Sequence, residues 1–358
     1  MEDRDVLIFL QSLYLDEKFY DEILTLDHLD DIFQMEEDDF LKFHRKNPLS
    51  VEKILKNRNK DYINKMIEDI NTHCTQVITI FDENYPVELN FIERPPKVLY
   101  VKGLPLDTSG VKIGVVGARK CTAYGSYVVD KFVSELARLN CTIVSGMAQG
   151  IDAYSHKIAL DNDTYTIGVL GTGIDQKFPR INSRLFDRMY ENGTVITEYP
   201  IGSKGIARNF PERNRIISGL SEGVIVVEAK ERSGSLITAR LAAEQGKEIF
   251  AAPGNINSVY SVGTNKLIRD GAIPLIEIED ITTVIPGLEK YSYESFKGDL
   301  ALSEEEKLVL EKIEEGFETV DSLAEELKIT VSKASSAVTL LEMKGLIQDF
   351  KGIGLKKS

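Results

Sequence analysis

Five stretches of the sequence carry glycine, serine or basic residues, each at or ahead of a helix-forming segment. VVGARKCTAYG carries Gly117, Arg119 and Lys120. SGMAQGIDAYSH carries Gly146 and Gly150, and LGTGIDQKFPRIN carries Gly171, Gly173, Lys177 and Arg180. NFPERNRIISGLS follows with Phe210, Arg213, Asn214 and Arg215, and AKERSGSLITA with Ser233, Gly234 and Ser235. Small residues let backbone approach a ligand, and the free amides at a helix N-terminus attract anions. One such loop is only a turn with surface cations; a succession of them predicts a rim that takes an anionic ligand. A mononucleotide needs one cradle. Cations spread over several loops suit a phosphate track, and a single strand of nucleic acid also needs a planar group on which a base stacks. Phe210 either supplies that group or packs under its loop; for Phe178, packing under the loop is the expectation.

Other chemistry is poorly represented. His28, His44, His73 and His156 are scattered, and His156, one helical turn after Asp152, is expected to make a structural hydrogen bond. The carboxylates Asp152, Asp175, Glu198 and Glu228 have no metal-cluster spacing, and no GxxxxGK[ST] loop is present. Ser233 and Ser235 lack an evident base. Cys121, beside Arg119 and Lys120, could have a lowered pKa but is expected to be inert. These residues supply no evident catalytic constellation, and neither a cofactor nor a metal is expected.

The elements that must carry these loops follow from periodicity. From Val77 onward, short β-branched runs (77–81, 98–101, 112–116, 142–145, 165–170, 194–197, 223–228, 248–252 and 273–276) alternate with helical stretches (124–139, 151–160, 182–191, 214–220 and 236–245). Apolar runs separated by helices predict a mostly parallel sheet covered on both faces, and ligands of such sheets bind at the carboxyl ends of the strands. The expected fold is α/β: an extended, doubly wound Rossmann-like domain over 73–286. A small helical (SAM-like) domain over 1–72 precedes it, with VEKILKNRNKDYINKMIEDIN as one helix. A linker over 287–302 leads to a winged helix over 303–358, in which Ser303 and Glu306 form a capping box and Thr319 and Thr330 start helices.

Among 358 residues there are 43 Lys+Arg and 57 Asp+Glu, a net charge of −14. Taken whole, that opposes a nucleic-acid partner. Its distribution does not: 1–100 carries 12 basic and 22 acidic groups, 101–290 carries 22 and 21, and 291–358 carries 9 and 14. The middle is nearly neutral, and the field in a groove follows local charge within a Debye length of about 8–10 Å. No run approaches the roughly 18 apolar residues of a membrane span. MEDRDVLIFL lacks a basic signal-peptide n-region, and three cysteines form no CxxC pair, so a reducing cytoplasm is expected.

In their order, VVGARKCTAYG, SGMAQGIDAYSH, VLGTGIDQKFPRIN, ITEYPIG, NFPERNRIISGLS, VIVVEAKERSGSLITARLAAEQGKEIFAAPG and GTNKLIRDGA resemble the DNA-processing protein A (DprA, or Smf) family over about 77–285. The resemblance implies a non-enzymatic, homodimeric protein that binds single-stranded DNA and loads the RecA recombinase onto incoming DNA in natural transformation. It implies that Arg119 contacts phosphate, that Lys177 or Arg180 does so too, and that Phe210 stacks a base. Arg213 and Arg215, in the FP-x-RNR motif with Asn214, either join the track or hold the loop by internal salt bridges. Ala118 and Gln149 depart from the family's usual serine and basic residue. The winged helix, acidic and with only Lys333 and Lys344 on its third helix, is expected to contact protein or to bind DNA weakly. A rival reading is a Rossmann-like nucleotide or phosphoribosyl hydrolase, although its PGGxGTxxE loop is absent; another is a ligand-sensing transcription regulator, against which the acidic winged helix argues.

Overall fold

The structure, a computed structural model, describes residues 2–43, 47–288, 303–317, 319–343, 346–350 and 354–357. The β-branched runs form nine strands of one sheet: β1 (Gln76–Thr79), β2 (Val98–Gly103), β3 (Lys112–Val116), β4 (Thr142–Ser145), β5 (Thr166–Val169), β6 (Thr194–Thr197), β7 (Gly223–Val226), β8 (Glu248–Ala251) and β9 (Ile273–Pro274). Their order is β1-β2-β6-β5-β4-β3-β7-β8-β9. The β1–β2 and β2–β6 pairs are antiparallel; all other pairs are parallel. The strands from β3 to β7 are buried along their whole length. The chain winds outward from β3 through β6 and then returns to lay β7 on the other side of β3. That reversal opens a crevice at the carboxyl ends of β3 and β7.

Four helices precede the sheet: α1 (Asp3–Ser12), α2 (Glu17–Ile23), α3 (Pro48–Asn57) and α4 (Lys60–His73). The last two replace the single helix expected there. Arg58 leaves the helical conformation and donates to Ile32 O at 2.9 Å, and Asn59 caps α4 by accepting from Tyr62 N at 3.0 Å. Residues 1–289 form one compact unit. β2 shows why the helices belong to it. Val98 and Tyr100 enter a core with Val6, Phe9 and Phe19 of the helices, whereas Leu99 and Val101 enter another with Leu89 and Ile216. Alternate side chains of one strand thus serve two layers.

The remaining helices of this unit are α5 (Ala123–Arg138), α6 (Ile151–Asp161), α7 (Ser183–Asn192), α8 (Asn209–Leu220), α9 (Gly234–Glu244), α10 (Val262–Arg269) and α11 (Glu279–Thr282). The second compact unit spans 290–358. It holds α12 (Glu304–Glu314), α13 (Val320–Leu327), α14 (Val331–Met343) and the antiparallel pair β10 (Ile347–Phe350) and β11 (Gly354–Lys357), a winged helix. The Ser303–Glu306 capping box and the Thr319 cap form as expected, and Thr330 Oγ1 accepts from Lys333 N at 3.3 Å. The stretch read as a linker over 287–302 lies, from 289 onward, outside the described residues, as does Lys344. No described helix is long and apolar enough to cross a membrane.

His156 of α6 is fully buried, its Nδ1 2.7 Å from Thr166 Oγ1 on β5, the structural hydrogen bond expected of it. Burial pulls its pKa from 6.5 down to about 3. The unfolded chain therefore takes up this proton first, and the stabilising contribution is complete above about pH 6.5 and is lost as the pH falls toward 3. The expected outcome is a loss of about 1.4 kcal/mol of unfolding free energy per pH unit between pH 6 and 4 from this group alone. His156→Asn, which retains a polar partner for Thr166, should flatten that dependence in denaturant titrations. Parallel curves for the two proteins would refute it.

Candidate functional site

The FPERNR motif was expected in the loop ahead of α8, with the helix starting at Asn214; it lies in the helix itself. Proline is tolerated in the first turn of a helix, where its missing N–H has no partner to lose, so Pro211 does not delay the start at Asn209. Helical spacing then puts Arg213 on the inward face with Ile216, Ile217 and Leu220. Arg213 and Arg215 are both buried. Arg213 donates to Gly146 O at 2.7 Å and also to Val169 O. Arg215 forms a two-pronged bridge with Glu198, at 2.5 and 2.7 Å, and donates to Arg94 O at 3.0 Å. Of the two roles open to these arginines, the geometry gives both the internal one, with an ion pair only for Arg215. Burial lowers the pKa of Arg213 to about 10, so it stays charged at neutral pH.

Asp152, in the first turn of α6, is the counter-charge. Burial raises its pKa, whereas Arg213 and the backbone amides of Gly117, Gly146 and Ala148 oppose the rise. Gly146 lies between the two groups. A Cβ there would stand 2.6 Å from Arg213 Nη2 and 2.6 Å from Asp152 Oδ2. Gly117 serves a similar purpose rather than a sharp turn. It has no positive φ, and a Cβ on it would meet Ile151 Cγ1 at 2.6 Å. Both glycines let the loops close over the pair.

Above this floor is a cleft of about 280 Å³ at the reversal of strand order. Its walls bring together Gly117, Arg119, Phe210, Arg213, Asn214, Ser233, Gly234 and Ser235, residues from three loops of the expected rim. Arg119 is exposed and bears on Arg213 electrostatically. Ser233 caps α9, accepting from Ser235 N at 3.4 Å, and the first residues of this 11-residue helix line the cleft. Phe210 is half-buried, its ring centroid 5.4 Å from that of Phe178. Phe178 is 46% exposed rather than packed beneath its loop, so the two rings form an aromatic surface at the site.

Lys120, Gly146, Lys177, Arg180 and Arg215 do not line the cleft. Lys120 and Arg180 are exposed; Lys177 is half-buried, pairs with Asp187 and sits 5.5 Å from the Tyr190 ring centroid. Asn182 donates to Met147 O at 3.0 Å and so ties the Arg180 turn to the end of β4. Burial raises the thiol pKa of Cys121 instead of its cationic neighbours lowering it. Glu228, at the end of β7, is buried and accepts from Thr122 N at 3.1 Å, where α5 begins. The role of Asp152 was missed, although an acid two residues after Gly150 at a helix start was the available signal.

Residues 76–286 match the family model described as DNA recombination-mediator protein A, and 298–352 match the DprA winged helix domain. The DNA processing protein DprA of Bacillus subtilis (strain 168) is 47% identical over 210 residues, 58% of this chain and 71% of that protein. The X-ray structure of DNA processing protein A from Streptococcus pneumoniae aligns with a TM-score of 0.68 at 34% identity, covering 78% of this chain and 98% of that one. DNA processing protein A from Helicobacter pylori, whose structure concerns its single-stranded DNA binding mode, aligns with a TM-score of 0.54 at 32% identity, covering 61% and 98%. With a doubly wound sheet, a cleft at its reversal point, a winged helix and these matches, the chain belongs to the DNA recombination-mediator protein A family.

Proposed function

We propose that the cleft binds single-stranded DNA and that the protein is a recombination mediator, protecting incoming strands and loading a RecA recombinase onto them in natural transformation. One observation carries the reading: an exposed cation, a helix N-terminus and a partly open aromatic surface converge on one cleft. Arg119 and the α9 amides suit phosphates. Phe210, with Phe178, suits an unstacked base, which a duplex does not offer. The single-stranded DNA binding of the H. pylori relative supports the same class of ligand. Lys120, Lys177 and Arg180 extend the cationic rim beyond the cleft. The recombinase and a homodimeric, cytoplasmic protein complete the reading on the strength of family membership.

The winged helix fits a protein contact better than a duplex. Lys333, the one basic side chain on the described part of α14, pairs with Glu305 at 2.9 Å. The hydrolase alternative loses ground at the cleft. Asp152 is its one carboxylate among the described residues, and it is committed to three loop amides and Arg213. The site therefore reads as one that binds and does not catalyse.

Titrating an oligonucleotide at several salt concentrations tests the assignment. Arg119→Ala should weaken binding and make the dependence of log affinity on log salt shallower by about 0.7, one phosphate contact on a single strand; adding Lys177→Ala should weaken it further. Phe210→Ala should cost about 1–3 kcal/mol with the slope unchanged, because it removes stacking and no charge. Duplex should bind more weakly than single strand. Unaltered affinity in all three variants would overturn the reading.

A further inference from the structure

Asn209 opens α8, is completely buried and immediately precedes Phe210. Its side chain reaches in two directions. Nδ2 donates to Gly171 O at 3.2 Å, and Oδ1 accepts from Tyr14 Oη at 3.4 Å. Its main-chain carbonyl accepts from Tyr199 Oη at 3.2 Å. Gly171 lies directly against the Phe210 ring; a Cβ on it would come within 2.9 Å of the ring's Cδ1. Whatever fixes Asn209 against Gly171 thus also fixes the aromatic ring of the cleft.

Two of these contacts come from the loops that follow β5 and β6. The third comes from the helical layer, where Tyr14 follows the end of α1. Tyr14 has a φ of +50°, a conformation that bulky residues rarely adopt and that persists only when the surroundings impose it. Here they do. Lys53 Nζ donates to Tyr14 O at 2.8 Å, and Gln11 Nε2 donates to Glu198 O at 2.6 Å. The Tyr14 ring lies 6.3 Å from that of Tyr199, and Tyr14 also raises the pKa of the exposed Arg208. Tyr14 itself does not line the cleft.

We infer that Tyr14 is a positioning residue for the cleft. Through its contact with Asn209, the N-terminal helical layer sets the orientation in which Phe210 meets an unpaired base. This rests on the single-strand reading of the cleft. Removing the hydroxyl loosens the first turn of α8 and costs stacking, while every phosphate contact remains.

The test uses the full chain with Tyr14→Phe, which keeps the ring against Tyr199, and an oligothymidylate carrying one 2-aminopurine. The expected result is affinity lower by about 3- to 10-fold, the size of one hydrogen bond, with the salt dependence of the unaltered protein. Quenching of the bound 2-aminopurine should fall at saturation, because the ring no longer holds the base. A purely structural tyrosine would shift the thermal midpoint alone; unchanged affinity and quenching would therefore overturn the inference. If Arg119→Ala and Phe210→Ala weaken binding and Tyr14→Phe does not, only the inference falls. If the unaltered protein fails to bind the strand, the reading of the cleft falls and takes the inference with it.

Discussion

Arg213 and Asp152 lie on either side of Gly146, both removed from water, and between them they hold the ends of three strands. The guanidinium reaches the carbonyls at the ends of β4 and β5; the carboxylate accepts amides after β3 and β4. Neither charge is tolerable alone. Deleting either would leave buried polar groups without their partner, which typically costs about 1–3 kcal/mol and more for a charged group. Together they place a buried, hydrogen-bonded floor beneath a cleft whose outer wall carries Arg119. An exposed cation over an uncompensated buried cation would be opposed by its own support. The pull of Asp152 on Arg213 opposes that conflict.

The same logic divides the arginines in and just before the FPERNR motif. Three arginines within eight residues suggest one basic patch, yet they serve different ends. Arg213 ties strand ends together, Arg215 binds Glu198, and Arg208 remains on the surface beside Tyr14. Residue type alone does not separate these roles, whereas helical phase does. Once the helix starts at Asn209, Arg213 falls in line with Ile216, Ile217 and Leu220 and must turn inward. That start was hidden because Pro211 reads as a breaker, and only its place in the first turn makes it harmless.

Much of the rest was legible for a physical reason. Strands buried on both faces leave near-continuous apolar runs, so β3 (Lys112–Val116), β4 (Thr142–Ser145) and β6 (Thr194–Thr197) could be bounded to the residue. The cleft was legible as a rim of small and basic residues because ligand loops cluster at one end of such a sheet. Contacts that depend on tertiary placement were not. Asp152 accepts the amide of Gly117 from the loop after β3, Phe178 turns outward beside Phe210, and Tyr14 meets Asn209 across 195 positions. No local period encodes such meetings.

The net charge of −14 takes on a different meaning with the molecule in view. Two acids of the helical layer are paired with basic side chains of the sheet layer: Glu17 with Arg94 at 3.2 Å and Asp21 with Lys97 at 3.2 Å. These exposed bridges add little stability singly. The shared core does far more, with Phe9 and Phe19 packed in one cluster with Tyr100 of β2. A layer joined to the sheet by a common core cannot shift without disturbing the elements it touches, and one of those is the start of α8. The acidic segment is therefore a mechanical support of the cleft as well as a charged surface, and its negative charge would repel a polyanion from the helices toward the neutral middle, where Arg119 is exposed.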